Sequence, residues 1–168
     1  MKENKRKGFT LIELVIVIAI MSIVLVTIGL SINVVFSNKS KSASKEIYSM
    51  LGTSQNLGMS KENVYFFIKR DSKGEYTTGV ARVTGGTVNV AQSVNISNKV
   101  TIELNGTTLA NGTGYMIGIN RSTGGFSQTY VYGTTTVASN INTITVKGSG
   151  KDYKIQLSYT NGKFFMVD

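Results

Sequence analysis

The sequence predicts an α+β protein in which a long N-terminal α-helix packs on a C-terminal antiparallel β-sheet or small β-sandwich. Two observations predict the helix: the chain is uncharged from Leu14 to Asn38, and apolar residues then recur at helical spacing as far as Lys61. A third predicts the sheet, because short alternating segments separated by glycine turns follow Asn63. A chain of 168 residues suits one domain of moderate size.

The first half of the helix has the length and composition of a membrane span. Leu14 to Asn38 are 25 consecutive uncharged residues, mostly leucine, isoleucine and valine, whereas a bilayer core of about 30 Å needs about 20. A secretory signal peptide is the competing interpretation, but its apolar region runs only about 7 to 15 residues. The basic residues at positions 2–7 predict a cytoplasmic N terminus and place the chain after Lys39 outside the membrane.

The second half of the helix is amphipathic. Between Ser40 and Lys61 one stripe contains apolar and small residues, while the charged residues fall mainly off it. The stripe consists of Ala43, Ile47, Met50, Leu51, Ser54, Leu57 and Gly58. We expect the small residues Ser54 and Gly58 to let a sheet approach closely.

Nine strands are predicted after the helix, each bounded by turn residues. Alternation puts one face of the sheet on a core and the other in water. The strands are Val64 to Lys69, Glu75 to Val83, Thr87 to Ala91, Val100 to Leu104, Tyr115 to Asn120, Phe126 to Tyr132, Asn142 to Lys147, Tyr153 to Tyr159 and Phe164 to Val167.

Composition excludes most familiar enzymes. The chain has no histidine and no cysteine, so thiol nucleophiles, histidine-dependent triads, zinc sites of those ligands and disulfides are excluded. Asp71 and Glu75 flank a turn among basic residues, which indicates a solvated loop and not an acid–base pair. We predict no catalytic residue, no metal site, no cofactor and no enzyme activity.

Glu13 is the exception in the apolar segment. An ionised carboxylate costs about 2.5 to 3.5 kcal/mol at the centre of a membrane helix. Two interpretations are open: the carboxylate stays hydrated near the cytoplasmic interface, or a positive group of a neighbouring chain neutralises it. Cleavage after Gly8 would supply such a group, because it creates an α-amino group at Phe9, four residues from Glu13.

The string from Lys7 to Leu14, KGFTLIEL, follows a short basic leader and opens the apolar helix. It resembles the class III signal of type IV prepilins and type II secretion pseudopilins. The resemblance implies that prepilin peptidase cleaves between Gly8 and Phe9 and methylates the new amine. It implies that Glu13 engages the N-terminal amine of the adjacent subunit. The assembly residues are Phe9, Thr10, Leu11, Ile12, Glu13 and Leu14.

Residues 41–68 are similar to the corresponding stretch of GspH/FimT-like minor pseudopilins. The chain has no proline in its apolar helix and no disulfide, features that abundant Gram-negative pilins commonly have. The division we predict is a removed basic leader (1–8), a transmembrane and filament-core helix (9–38), an amphipathic continuation (39–62) and a β-rich head (63–168). The implied partners are prepilin peptidase, other pilin or pseudopilin subunits, and the inner-membrane assembly platform with its ATPase complex.

The predicted function is that of a minor pilin or pseudopilin in a type IV pilus or type II secretion-like filament. It would lie in the cell membrane as a single-pass protein with an extracytoplasmic C-terminal domain, and on the surface after assembly. The full chain carries +9 and the leader +3 (four positive charges and one negative), so the mature chain would carry +6. This charge suggests a competence pseudopilin that binds DNA as the alternative. The candidate contacts are Lys147, Lys151, Lys154 and Arg121. A single-pass protein with an extracellular ligand-binding β domain is a third interpretation, which leaves the KGFTLIEL string unexplained.

Overall fold

The computed structural model describes residues 10–61, 63–148 and 150–167, and within that range the side chains of residues 26–38 are not described. The chain divides into two compact units, Met1–Val35 and Phe36–Asp168. We call the second unit the head. One helix, α1 (Leu11–Ser60), contributes its first part to the first unit and its remainder to the head.

The part of α1 in the head buries the predicted stripe. Ile47, Leu51 and Ser54 have no exposed surface, and Ala43 is 2% exposed. Gly58 lies directly against Ile119, because a Cβ added at Gly58 would stand 2.7 Å from the Ile119 Cβ. The predicted amphipathic stripe is confirmed, and so is the close approach at Gly58.

Eleven strands follow α1 among the described residues. They are β1 (Val64–Arg70), β2 (Tyr76–Thr84), β3 (Thr87–Ile96), β4 (Thr101–Leu104), β5 (Thr107–Thr108), β6 (Gly114–Ile119), β7 (Phe126–Val131), β8 (Val137–Ala138), β9 (Thr143–Lys147), β10 (Tyr153–Leu157) and β11 (Phe164–Val167).

The strands form two antiparallel sheets that share one core with α1. The six-stranded sheet has the order β3-β2-β1-β6-β7-β8, and the five-stranded sheet has the order β11-β10-β9-β4-β5. Phe66 and Ile117 come from the first sheet, Ile144 and Ile155 come from the second, and they belong to the same buried cluster as Ile47 of α1. The predicted α+β class with antiparallel sheets is therefore confirmed, and of the two predicted arrangements the strands form the one with more than a single sheet.

The sequence did not predict β5 and β8, because each has only two residues and shows no alternation. β5 forms a hairpin with β4 through Asn105 and Gly106, whose φ angles are 51° and 83°. Two successive residues with positive φ are the signature of a type I′ turn, which asparagine followed by glycine adopts readily. Asn105 and Gly106 thus form the hairpin turn between β4 and β5.

β3 extends to Ile96, five residues beyond its predicted end. Val80 of β2 pairs with Gln92, and the next residue, Ala81, pairs with Val90, so Ala91 is the extra residue of a β-bulge. A bulge exchanges the faces to which the following side chains point. The alternation that the sequence offers therefore breaks at Ala91 although the strand continues.

Candidate functional site

The candidate site is the start of α1, where the structure shows a reciprocal pair of hydrogen bonds. Thr10 precedes the first helical residue, Leu11, and Glu13 is the third residue of the helix. The Thr10 backbone N–H and its hydroxyl both donate to Oε2 of Glu13, over 2.9 and 3.0 Å. The Glu13 backbone N–H donates to Thr10 Oγ1 over 3.3 Å. This arrangement is a capping box.

The capping box fixes the position of the Glu13 carboxylate. A helix N-terminus has N–H groups without partners in the helix, and the helix dipole favours a negative charge there. The carboxylate is therefore held beside the first turn of α1. A threonine followed three positions later by glutamate is the sequence signal of such a pair.

The described part of the first unit presents a helix surface of exposed, large apolar side chains. Twelve large apolar side chains between Leu11 and Leu25 are between 44% exposed, at Val24, and 82% exposed, at Leu11. They are Leu11, Ile12, Leu14, Val15, Ile16, Val17, Ile18, Ile20, Met21, Ile23, Val24 and Leu25. A helix that is apolar on all sides is stable in lipid or against other apolar helices.

A search of the described residues for a helix long and apolar enough to cross a bilayer finds none. Two predicted features lie outside the described residues. One is the cleavage site between Gly8 and Phe9, with the whole leader. The other is part of the predicted membrane span, since the side chains of residues 26–38 are not described.

Three of the four predicted anion contacts lie in or beside the five-stranded sheet. Lys147 Nζ stands 2.7 Å from Glu103 Oε1, and this hydrogen bond raises the pKa of Lys147. The register aligns Glu103 with Thr145 and Thr145 with Lys154. Lys151 lies in the loop that joins β9 to β10.

Arg121 lies elsewhere in the head. It belongs to the turn after β6, in which Gly124 packs against Met59 of α1, whereas the Lys151 carbonyl accepts a hydrogen bond from Ser40. Ser40 and Met59 are about 28 Å apart along a helix that rises 1.5 Å per residue. The structure therefore does not bring Arg121 together with the three lysines.

The acidic pair Asp71 and Glu75 closes a turn. Oδ1 of Asp71 accepts the backbone N–H groups of Lys73 and Glu75, over 2.9 and 2.8 Å. The Asp71 carboxylate therefore stabilises the turn between β1 and β2.

Comparison with known proteins gives one match. Residues 4–29 match the family described as the prokaryotic N-terminal methylation motif. Neither the curated proteins nor the solved structures give a match to this chain. The motif, which is of the prepilin type, supports a type IV pilin-like protein.

Proposed function

We propose that the chain is a minor pilin or pseudopilin, a structural subunit of a type IV pilus or type II secretion-like filament. The observation that carries this proposal is the N-terminal methylation motif over residues 4–29. It coincides with the start of α1 and with the exposed apolar surface from Leu11 to Leu25. In this proposal residues 9–38 store the subunit in the membrane, with a cytoplasmic N terminus, until assembly.

Assembly needs adhesion and register, and different residues supply them. Apolar helix surfaces adhere to each other without directional preference. Register requires a directional contact, which we assign to the Glu13 carboxylate and the methylated Phe9 amine of the adjacent subunit. In the low dielectric of a filament core, a misplaced subunit would leave this buried charge without a partner, which is strongly unfavourable.

The head would then lie outside the helical core and carry the contacts with other components. Its two sheets and the buried stripe of α1 form one core, so that the head can be displaced as a unit when the helix leaves the membrane. The partners in this account are prepilin peptidase, other subunits, and the assembly platform with its ATPase complex. The likeness of residues 41–68 to GspH/FimT-like subunits favours a minor role.

The proposal is tested by co-expression of the full chain with a prepilin peptidase, followed by mass spectrometry of the N-terminal peptide. We expect a peptide that begins at Phe9 and carries one methyl group. The matched control is Gly8→Val, which should keep its leader because the cleavage site is altered. Wild-type chain that keeps residues 1–8 in the presence of an active peptidase would contradict the proposal.

A competence pseudopilin that binds DNA is the second candidate. The shared location of Lys147, Lys151 and Lys154 favours it, since clustered lysines attract phosphates. Two observations count against it: Lys147 forms an ion pair with Glu103, and Arg121 is distant from the three lysines. DNA binding is therefore the second candidate, and protection of these lysines by duplex DNA would favour it.

A further inference from the structure

One end of the head collects lysines that are far apart in the sequence. β4 begins and β9 ends at this end, because Thr101 pairs with Lys147. Lys99 stands two residues before Thr101. β10 begins and β11 ends there as well, because Lys154 pairs with Val167. Together with the β9–β10 loop, which contains Lys151, these strand ends bring four lysines to one end of the five-stranded sheet.

The part of α1 nearest the apolar segment lies at the same end. The Ser40 hydroxyl donates to the Lys151 carbonyl over 3.1 Å, and the Ser44 hydroxyl contacts the Met166 sulfur in β11. The helix therefore adds three more lysines to the set. We call the whole set the lysine end: Lys39, Lys41, Lys45, Lys99, Lys147, Lys151 and Lys154.

The lysine end has a net positive charge. Glu46, Glu103 and Asp152 lie among its lysines, and Glu103 bonds to Lys147. Among the described residues, seven lysines against three carboxylates leave an excess of four positive charges. Asp168, which follows Val167 in the sequence and lies outside the described residues, would lower this excess to three. Lys41, Lys45, Lys151 and Lys154 are all exposed, so their ammonium groups are accessible to an anionic partner.

A second, independent observation indicates which partner this is. Lys39 directly follows Asn38, the last of the 25 uncharged residues that begin at Leu14. If that segment lies in a bilayer, Lys39 must lie at the membrane surface, because it is the next residue in the chain. Lysines near an anionic bilayer are attracted to its headgroups over about one Debye length, which is about 8 to 10 Å at physiological ionic strength.

We propose that the lysine end binds anionic phospholipid headgroups while the subunit is stored in the membrane. The inference rests on the proposed membrane storage and adds a contact that must break when the subunit is extracted. The chemistry recognised is the phosphate of the headgroup, and the flexible lysine stems allow several headgroups to be contacted at once. Binding by the lysine end would thus keep the head of the stored subunit in contact with the membrane surface.

The test uses the full chain in nanodiscs of phosphatidylcholine alone or with phosphatidylglycerol, and measures acylation of each lysine by mass spectrometry. In the anionic discs we expect Lys41, Lys45, Lys151 and Lys154 to react at least about threefold more slowly. Lys61 and Lys163 are the internal controls, since they lie near Leu57 and Gly162 at the other end of the head. Equal rates in both discs would overturn the inference.

A pair of double variants separates local charge from total charge. Lys151→Glu with Lys154→Glu should restore fast acylation of Lys41 and Lys45 in anionic discs. Lys61→Glu with Lys163→Glu makes the same change in net charge at the other end and should restore nothing. About 1 M salt should also remove the protection, because it shortens the Debye length to about 3 Å. Protection that survives the first double variant would overturn the inference.

Two further arms identify the source of the phosphate. Inorganic phosphate added to phosphatidylcholine discs should not protect the lysines, and protection equal to that of the anionic lipid would overturn the lipid assignment. Duplex DNA that protects them where anionic lipid does not would also overturn it and favour DNA uptake. If alkaline carbonate extracts the chain from membranes, the proposed membrane storage itself is contradicted. If the chain resists extraction but its lysines are not protected from acylation, only the present inference is contradicted.

Discussion

The two hydrogen bonds that Thr10 donates to Glu13 both end on the same carboxylate oxygen, Oε2. They therefore leave the other oxygen, Oε1, to a donor from outside the pair. A carboxylate has lone pairs for several donors, so Glu13 can cap its own helix and pair with a neighbouring amine at the same time. Assembly in this account does not require the helix cap to open.

The variant Glu13→Gln separates the cap from the charge. Glutamine also occupies the third position of capping boxes, so the helix start should persist while the ion pair is lost. We expect cleavage and membrane insertion to continue and incorporation into filaments to fall at least about tenfold, as it should for Glu13→Ala. The measurement is the ratio of the subunit in sheared filaments to that in membranes. Wild-type incorporation of Glu13→Gln would reduce Glu13 to a cap residue.

Gly58 and Gly52 offer a matched pair on α1. A methyl group at Gly58 would collide with Ile119, so Gly58→Ala should lower the free energy of unfolding by about 1 to 3 kcal/mol. At Gly52 the nearest atom would be the Phe164 Cζ at an ordinary 3.7 Å, so Gly52→Ala should raise it by about 0.5 to 1 kcal/mol. Urea unfolding of the full chain in detergent measures both. Equal effects would mean that the helix does not pack on β6 as described.

Asn105 holds the β4–β5 turn against the strand that follows β8. Its side chain accepts the N–H groups of Asn142 and Thr143, over 2.9 and 3.1 Å, and donates to the Asn140 carbonyl over 2.8 Å. Asn105→Ala loses these bonds and a residue that tolerates positive φ, so we expect a loss of about 2 to 4 kcal/mol of stability.

Asn105→Asp is the control for that change, because it keeps both acceptor bonds and loses only the donor. It should cost less than the alanine variant in the same urea unfolding experiment, about 1 kcal/mol. If Asn105→Ala unfolds within about 0.5 kcal/mol of the wild type, the turn is not stabilised by this side chain.

Tyr159 should make the head sensitive to alkali. Burial raises the pKa of Tyr159, and hydrogen bonds with Thr129 and the Ile141 N–H partly oppose this. The unfolded chain, with a tyrosine pKa near 10.0, therefore releases its proton first. The stability contributed by Tyr159 is fully present below that pH and is lost as pH rises through the raised value.

The variant Tyr159→Phe tests this dependence. At pH values between the pKa of tyrosine in the unfolded chain and the raised pKa of Tyr159 in the folded chain, the free energy of unfolding falls as pH rises. In the variant this fall should be less steep, by up to about 1.4 kcal/mol per pH unit. At neutral pH it should cost stability, because the Ile141 N–H loses its acceptor. Urea unfolding at neutral pH and above pH 10 measures both effects, and an unchanged alkaline slope would count against the burial of this hydroxyl.

Elements with strong periodicity were predictable from the sequence. The α1 stripe at Ile47, Leu51 and Ser54 follows from the helical period, and β9 and β10 follow from simple alternation. β5 and β8 were not predictable, since two residues carry no period. The predicted end of β3 was wrong because the bulge at Ala91 interrupts the alternation although the strand continues to Ile96.

The candidate site was also predictable only in part. Glu13 stands out in the sequence because it is a charge in an apolar segment, and the spacing from Thr10 contains the signal of its partner. The lysine end has no such signal. Lys41 and Lys151 lie at the same end of the head because α1 packs there on the five-stranded sheet, where Ser40 bonds to the β9–β10 loop and Ser44 contacts Met166.

The most direct test of the account is mass spectrometry of the N terminus of the chain in two fractions of the native cell, sheared filaments and membranes. We expect chain that begins at methylated Phe9 in the filaments, at low stoichiometry, and in the membrane store. A chain that retains Met1 and its leader in both fractions would contradict the account.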